Sequence, residues 1–474
     1  MQKKGRIHMR KVSFILIAIV LMVSASACSS RTGNGEATGT QNGDKAAQSP
    51  EGAKTEGKKS DGGPKTIVFS TFFPDDFFKE AKKKYEAKHP NITIELKYVE
   101  TDDAHGEENS EKFIKTTNTA LLSGKGPDLI EMDLLPIGNY VNKKLLANMS
   151  EMMDKDPTFK KDQYFTNILD NVKLNGGIYG MPLNFFTYGF IGNETAIEKS
   201  GLKIDDKNWD WSQFTDVAKE LMKNGNQKTK SALYSTPEYL LNERVKEQYA
   251  AFVDPVNKKA NFETAAFTGL MKQVKSLFDD QIATEKPVQA LFNNVSIVSP
   301  EYYIRDLKQS EYLSKGYEFT SKLYAKPHAE GLKAGGYFRT YKTIGINEKS
   351  TVKEEAWDFL KFMLSDEVQQ GPDHAGFPMN KSVYEKRVKE LLKVGKVKSD
   401  QEMGALKDKV FDITAKDIQD LDRFLSEAIY PVEFKPSKIE EIISEEAKSY
   451  FKGQKSAEAA AKLIQNRVTT FLNE

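Results

Sequence analysis

Between Thr66 and Met132 the chain repeats one alternation, and that order constrains the fold more than any other feature. Thr66–Thr71 (TIVFST) is short and apolar, as a buried strand should be. Asp75–His89 then carries Phe77, Phe78, Ala81 and Tyr85 on one helical face and lysines on the other, and Pro90 stops it. Ile92–Val99 alternates Ile92, Ile94, Leu96 and Tyr98 with Thr93, Glu95 and Lys97, the pattern of an edge strand. Phe113, Ile114, Thr117, Ala120 and Leu121 mark a second helix that ends at Gly124, and Asp128–Met132 supplies a third strand. Strand, helix, strand, helix, strand predicts an α/β fold with a mainly parallel sheet flanked by helices.

That topology says where a ligand would sit. In open parallel sheets ligands lie beyond the carboxyl ends of the strands. Phe72 and Phe73 directly follow the first strand, and Glu131 and Asp133 end the third, so all four should share one rim. Rings can face the apolar side of a sugar while carboxylates accept from its hydroxyls. The competing arrangement packs both phenylalanines under the next helix and leaves the acids in solvent.

A second informative stretch is Gly335–Gln369. It opens with a glycine pair, which lets the backbone turn sharply or approach another surface closely. Tyr337, Phe338 and a short strand Lys342–Ile346 follow. After a polar turn, Ala356, Trp357, Leu360, Phe362, Met363 and Leu364 recur at helical spacing.

At 474 residues the chain has room for two or three domains. Its formal net charge of +1 gives no global basic field of the kind nucleic-acid binders show. Its single cysteine, Cys28, excludes disulfides within the chain and thiolate metal clusters. Lys3, Lys4, Arg6, Arg10 and Lys11 precede an apolar run from Val12 to Val23. At about 1.5 Å per residue this run is too short to span about 30 Å of hydrocarbon comfortably. With Ala25, Ser26 and Ala27 before Cys28 it reads as a signal peptide over residues 1–27. This end resembles a bacterial lipoprotein box, in which the cysteine is acylated and anchors the mature chain, although Ala25 stands where a leucine is usual. The alternative is an uncleaved anchor helix. Residues 28–64 hold no aromatic and, after Cys28, no branched aliphatic residue, and such a segment cannot offset its chain entropy by burial. It is a tether with a typical reach of roughly 30–35 Å.

Several segments together resemble one family. Gly335–Gln369 is similar to the central segment of the family 1 extracellular solute-binding proteins, the maltose- and oligosaccharide-binding type that feeds ABC importers. Leu121–Asp133 (LLSGKGPDLIEMD) resembles the family's Gly-x-x-Pro-Asp approach to the cleft. Ile178–Leu202 matches its first crossing at Tyr179, Gly180 and Pro182, but Gly192-Asn193-Glu194 replaces the usual Tyr-Asn-Lys. Ala290–Tyr303 resembles a strand leading to a cleft aromatic, here Tyr302 with Tyr303 beside it. Gly376–Lys386 resembles the third crossing, and Ser456–Leu472 the closing helix. Trp211 falls at a packing tryptophan of the family, with Ser212 as an expected helix cap.

The resemblance implies two lobes, residues 65–185 with 338–377 and residues 186–337 with 378–474, joined by three crossings. It implies a carbohydrate in the cleft, met by Phe72, Phe73, Glu131, Asp133, Asn184, Phe185, Tyr188, Tyr302, Tyr303, Gly336, Tyr337 and Arg339. Phe73, Asp133, Tyr302 and Tyr337 should face one ligand, the three rings partly exposed in the open form. The implied partners are an ABC permease and, through Cys28, the membrane, for a monomer outside the cell that binds no nucleic acid. No cofactor or metal is expected. His8, His89, His105, His328 and His374 form no HExxH motif, and no GxxxxGK[ST] or GxSxG is present. Two other readings stay open, a non-sugar solute in the same fold and a tethered glycoside-acting enzyme. Against the enzyme, Glu131 and Asp133 lie on one segment rather than facing each other across a bond.

Overall fold

The structure is a computed structural model that describes residues 63–99, 105–224, 231–254, 257–313, 320–371, 375–432 and 437–473. The leader, Cys28 and all but the last two residues of the expected tether lie outside the described residues.

Strand β1 (Lys65–Ser70) lies between β2 (Ile92–Lys97) and β3 (Leu129–Glu131) and runs parallel to both. The helices Asp76–Lys88 and Gly106–Leu122 make the crossovers. The first of them buries Phe77, Phe78, Ala81 and Tyr85, the stripe its periodicity predicts. It starts at Asp75, whose carboxylate accepts from the Phe77 N–H at 2.7 Å. The Gly-x-Gly-Pro-Asp run has a structural reason as well. Asp128 accepts from the Val68 N–H (2.8 Å) and from the Ser350 hydroxyl (2.6 Å), while the Asn347 amide donates to the Pro127 carbonyl (3.0 Å). One carboxylate thereby ties β1 to the turn that follows the central strand.

That central region is built from β4 (Met181–Asn193) and its antiparallel partner. After β4 come β5 (Leu233–Tyr234), β6 (Val253–Asp254), β7 (Lys259–Ala260), β8 (Ala283–Thr284), β9 (Phe292–Ile297) and β10 (Ser321–Ala325). The partner is β11 (Gly336–Ile346), which extends the expected Lys342–Ile346 strand by six residues. Then follow β12 (Phe377–Pro378), β13 (Lys396–Lys398), β14 (Val410–Asp412) and β15 (Ala428–Pro431). Eleven strands form one sheet in the order β2-β1-β3-β11-β4-β9-β5-β8, with β10 and β12 on β4 and β15 on β11. Pairing is parallel at the two outer ends of the path and antiparallel at its centre.

The centre is antiparallel because the chain crosses between lobes on β4 and returns on β11. One end of β11 pairs with β3 of the first lobe, and β4 meets β9 and β10 of the second toward its other end. At 13 and 11 residues these strands exceed the usual five or six because each serves both lobes. Gly335 permits the close approach expected of it, since a Cβ there would fall 2.3 Å from the Ile429 side chain.

The second lobe has its own core, in which Phe190, Trp211, Phe214, Phe292 and Ile464 are buried. The first core includes Ile67, Phe78 and Phe359 and continues through Phe185 and Phe338 to Ile304 and Leu421. Trp211 packs in the second core as expected. Its helix, however, is capped by Asp210, not Ser212. The Asp210 carboxylate accepts from the Gln213 N–H (2.8 Å), and the Gln213 side chain accepts from the Asp210 N–H (2.9 Å). This reciprocal pair satisfies two helix-end donors at once.

Candidate functional site

Side chains on a strand alternate between the two faces of the sheet. On β4 and β11 the opposed pairs Tyr188–Tyr337, Phe186–Arg339 and Asn184–Tyr341 therefore share one face. The intervening pairs Thr187–Phe338 and Phe185–Thr340 take the other, where Phe185 and Phe338 are fully buried in the core. The first face is partly open at Phe186, Tyr188, Arg339 and Tyr341. The Phe186 and Tyr341 rings lie 5.4 Å apart, and the Arg339 guanidinium donates to the Tyr188 hydroxyl.

From the first lobe, the rim loop after β1 brings Phe73 to the surface, where the residue is 54% exposed. The loop is held from below. Glu131 accepts from the Phe72 N–H at 3.0 Å, and the Thr71 hydroxyl donates to the Phe73 carbonyl at 2.9 Å. Asp133 accepts from the backbone N–H groups of Lys342 (2.7 Å) and Thr343 (3.0 Å). Lys342 has φ +52 in the middle of β11, a left-handed conformation that costs a non-glycine residue about 1–3 kcal/mol. Asp133 pins that kink, and the Lys342 ammonium reaches back to Asp75 at 2.8 Å. Burial, reinforced by the nearby Asp133 charge, pushes the Glu131 carboxyl up to about 8. Burial also raises Asp133, against the two backbone donors that favour its charge.

From the second lobe, helix Pro237–Glu247 contributes Tyr239, whose ring is exposed, and Glu243. Lys326, just past β10, is buried between Glu247 (2.9 Å) and Glu243 (3.4 Å). Burial opposes the Glu243 charge, but the Lys326 and Lys246 ammoniums outweigh it and keep this carboxyl below its ordinary value. Arg244 lies over the Trp211 ring at 4.4 Å. Tyr188 and Tyr239 both feel the charges of Glu243 and Lys326. The ring-and-carboxylate face thus has walls from both lobes.

The structure gathers Phe73, Glu131, Asp133, Asn184, Tyr188, Tyr337 and Arg339 around this face, and it places the five other expected residues elsewhere. Phe72 is buried with Phe113 and Ile130, so only one of the rim phenylalanines faces outward. Phe185 points into the core because its neighbour Phe186 takes the open face. Tyr303 is buried in the same core. Tyr302 is on helix Pro300–Leu313 with the Arg305 guanidinium over its ring at 4.6 Å, and Arg305 is held by the Lys398 carbonyl. That groups Tyr302 with the β13–β14 hairpin. Gly336 lies beside Ala428 at the start of β11.

Tyr337 is on the expected face but only 1% exposed, so it is a packed wall and not a partly exposed ring. Asn184 is likewise buried, beneath Gly376, whose φ of +94 and contact with the Phe185 carbonyl leave no room for a side chain.

Sequence reasoning missed Asp75, Phe186, Tyr239, Glu243, Lys326, Tyr341 and Lys342. Tyr341 and Phe186 follow from extending the alternation of Tyr337, Arg339 and Tyr188, whereas nothing local pairs Glu243 with Lys326. Among the described residues no three His, Cys, Asp or Glu side chains are placed to hold a metal, and no helix is long and apolar enough to cross a membrane.

Residues 74–370 match the family described as bacterial extracellular solute-binding protein. A lactose-binding protein of Rhizobium radiobacter is 27% identical over 148 residues, 30% of this chain and 32% of that protein. The chain spans about a third of the length of the curated relatives it matches. Among solved structures, a family 1 extracellular solute-binding protein from Alicyclobacillus acidocaldarius superposes with a TM-score of 0.57 at 16% identity, over 88% of this chain and 100% of that one. The sugar-binding protein MalE from Xanthomonas citri gives 0.56 at 15% identity, over 86% and 97%. These likenesses establish the two-lobed fold.

Proposed function

The chain belongs to the bacterial extracellular solute-binding proteins, and from that premise we propose that it captures a carbohydrate, an oligosaccharide, between its lobes and delivers it to an ABC permease. One observation carries the carbohydrate assignment. The open face of β4 and β11 sets Phe186, Tyr188 and Tyr341 beside carboxylates drawn from both lobes. Rings stack on the apolar faces of sugars, and ionised carboxylates accept strongly from hydroxyls. A ligand that touches Asp75 or Asp133 on one side and Glu243 on the other favours a closed form by as much as it prefers that form. Micromolar capture needs about 8 kcal/mol, within reach of a few stacked rings and several such bonds.

The enzymatic alternative loses its carboxylate pair. Glu131 and Asp133 are bonded to backbone N–H groups of the rim loop and of the crossing strand, and both come from one lobe. Binding needs only their carboxyl oxygens as acceptors. We assign the lobe boundaries to residues 65–185 with 338–377 and 186–337 with 378–474, so that two of the divisions fall within β4 and near the start of β11. The charged, apolar and small-residue order before Cys28 supports a lipid anchor at that cysteine, which would hold a monomer at the outer face of the membrane.

Thermal denaturation of the purified protein against a panel of oligosaccharides, with peptides and divalent metals as controls, tests the assignment. A rise in melting temperature with one saccharide series is expected. A rise with a peptide or a metal and with no saccharide would show that the ligand is not a carbohydrate.

A further inference from the structure

The charges on the binding face are unevenly exposed, and from this we infer that the cleft takes uncharged saccharides and rejects their acidic counterparts, the oligouronates. The inference rests on the carbohydrate reading above and adds the ligand's charge to it. Three carboxylates on the face are partly open to solvent, namely Asp75, Asp133 and Glu243, while Glu131 beside them keeps its proton. The cations are placed otherwise. Lys342 and Lys326 are each 4% exposed and already bound, the first to Asp75 and the second between Glu243 and Glu247. Arg244 is buried against Trp211, with a Glu247 oxygen 3.7 Å away. Lys246 is partly open but held between Glu440 (3.1 Å) and Glu243 (3.5 Å), and Arg339, also partly open, lies in the field of Asp133 while donating to Tyr188.

A ligand carboxylate needs either a guanidinium fork or a set of unfilled N–H groups. The two helix N-termini near the site already carry a cap from within the chain, the Phe77 N–H being taken by Asp75 (2.7 Å) and the Tyr239 N–H by Thr236 (3.2 Å). An incoming uronate would therefore meet carboxylates from both lobes and would have to share Arg339 with Asp133. A neutral sugar of the same shape meets the same groups as acceptors for its hydroxyls. Discrimination here comes from repulsion built into the site rather than from an added attraction.

Matched trisaccharides that differ only in oxidation at C6 isolate the charge. We would titrate the full chain calorimetrically with galactotriose and trigalacturonate, cellotriose and its triuronate, and mannotriose and trimannuronate, at low and high salt. In each pair that binds, the neutral member should be at least tenfold tighter, with a Kd that hardly moves with salt. Glu243→Gln should narrow the gap between the members by severalfold. A uronate that binds more tightly than its neutral twin, with affinity falling as salt rises, would overturn the inference and leave the carbohydrate reading standing. If no member of any pair binds while the thermal panel finds a non-sugar ligand, both fall together, an outcome easily told from the first.

Discussion

Replacing Glu131 with glutamine should stabilise the protein, and more so as the pH rises. The carboxyl is held up to about 8 in the folded state against an ordinary value of 4.5, first by burial and then by the neighbouring Asp133. Below pH 4.5 both states carry the proton and nothing is lost. From there to about 8 the unfolded chain releases its proton while the folded one keeps it, so stability falls with pH. Each unit is worth about 1.4 kcal/mol, which over this interval bounds the loss at roughly 4–5 kcal/mol. Glu131 keeps some contact with solvent, so about 2 kcal/mol is the working figure. Glutamine still accepts from the Phe72 N–H but has no proton to lose. Urea unfolding of both proteins at pH 5.5 and pH 8 should show a difference that grows by about 2 kcal/mol, read from the shift in midpoint at a common slope. A difference that is constant with pH, or a variant that is less stable at pH 8, would show that Glu131 is ionised in the folded protein and that this account of the rim is wrong.

Other substitutions probe other parts of the argument. Asp133→Ala leaves two backbone donors without an acceptor at Lys342 and Thr343, both nearly buried; at about 1–3 kcal/mol each, calorimetry should register a loss of roughly 2–6 kcal/mol, and an unchanged melting temperature would mean that water replaces the carboxylate. Tyr341→Ala removes a partly exposed ring of the binding face and should weaken saccharide binding at least tenfold, about 1.4 kcal/mol, with little change in melting temperature. Trp357→Ala should do the reverse. This residue is buried and donates to Asp156 at 2.9 Å, and its loss should cost about 3–5 kcal/mol of folding free energy with affinity intact. Cys28→Ser should move the protein from the membrane to the soluble fraction without altering its binding; retention at the membrane would make Val12–Val23 the anchor.

The outline of the fold was legible because local signals and tertiary packing agree over much of the chain. Asp75–His89 names its own buried stripe and stop, and both appear in the helix Asp76–Lys88. β11 was only half legible for the opposite reason. Its second half, Lys342–Ile346, is buried throughout and reads as a short strand, whereas Arg339, Thr340 and Tyr341 in its first half are only partly buried. Polar residues in mid-strand break the pattern that identifies a strand, so the segment that builds the site is also the segment whose structure is hardest to see. The cap of the helix at Trp211 failed on a finer point. Asp210 and Ser212 are both good cap residues, and Gln213, which can return a bond only to Asp210, decides between them.

The site was legible in kind and not in detail, and strand geometry explains the difference. The sequence places Asn184, Phe185, Phe186, Thr187 and Tyr188 on a strand near the cleft, but a shift of one residue exchanges the two faces. Phe185 and Phe186 are chemically identical, so nothing in the stretch itself says which ring is core and which meets ligand. The answer comes from β11, where Arg339 opposite Phe186 cannot be buried cheaply while Thr340 opposite Phe185 can. Glu243 and Lys326 lie further beyond sequence reasoning. They are 83 positions apart and meet because Lys326, just past β10, reaches helix Pro237–Glu247. Removing either would leave the other with one counter-charge fewer, Glu247 alone for Lys326 and Lys246 alone for Glu243. The pair therefore acts as one acceptor group on the second wall, to be tested by mutating both residues together as well as each alone.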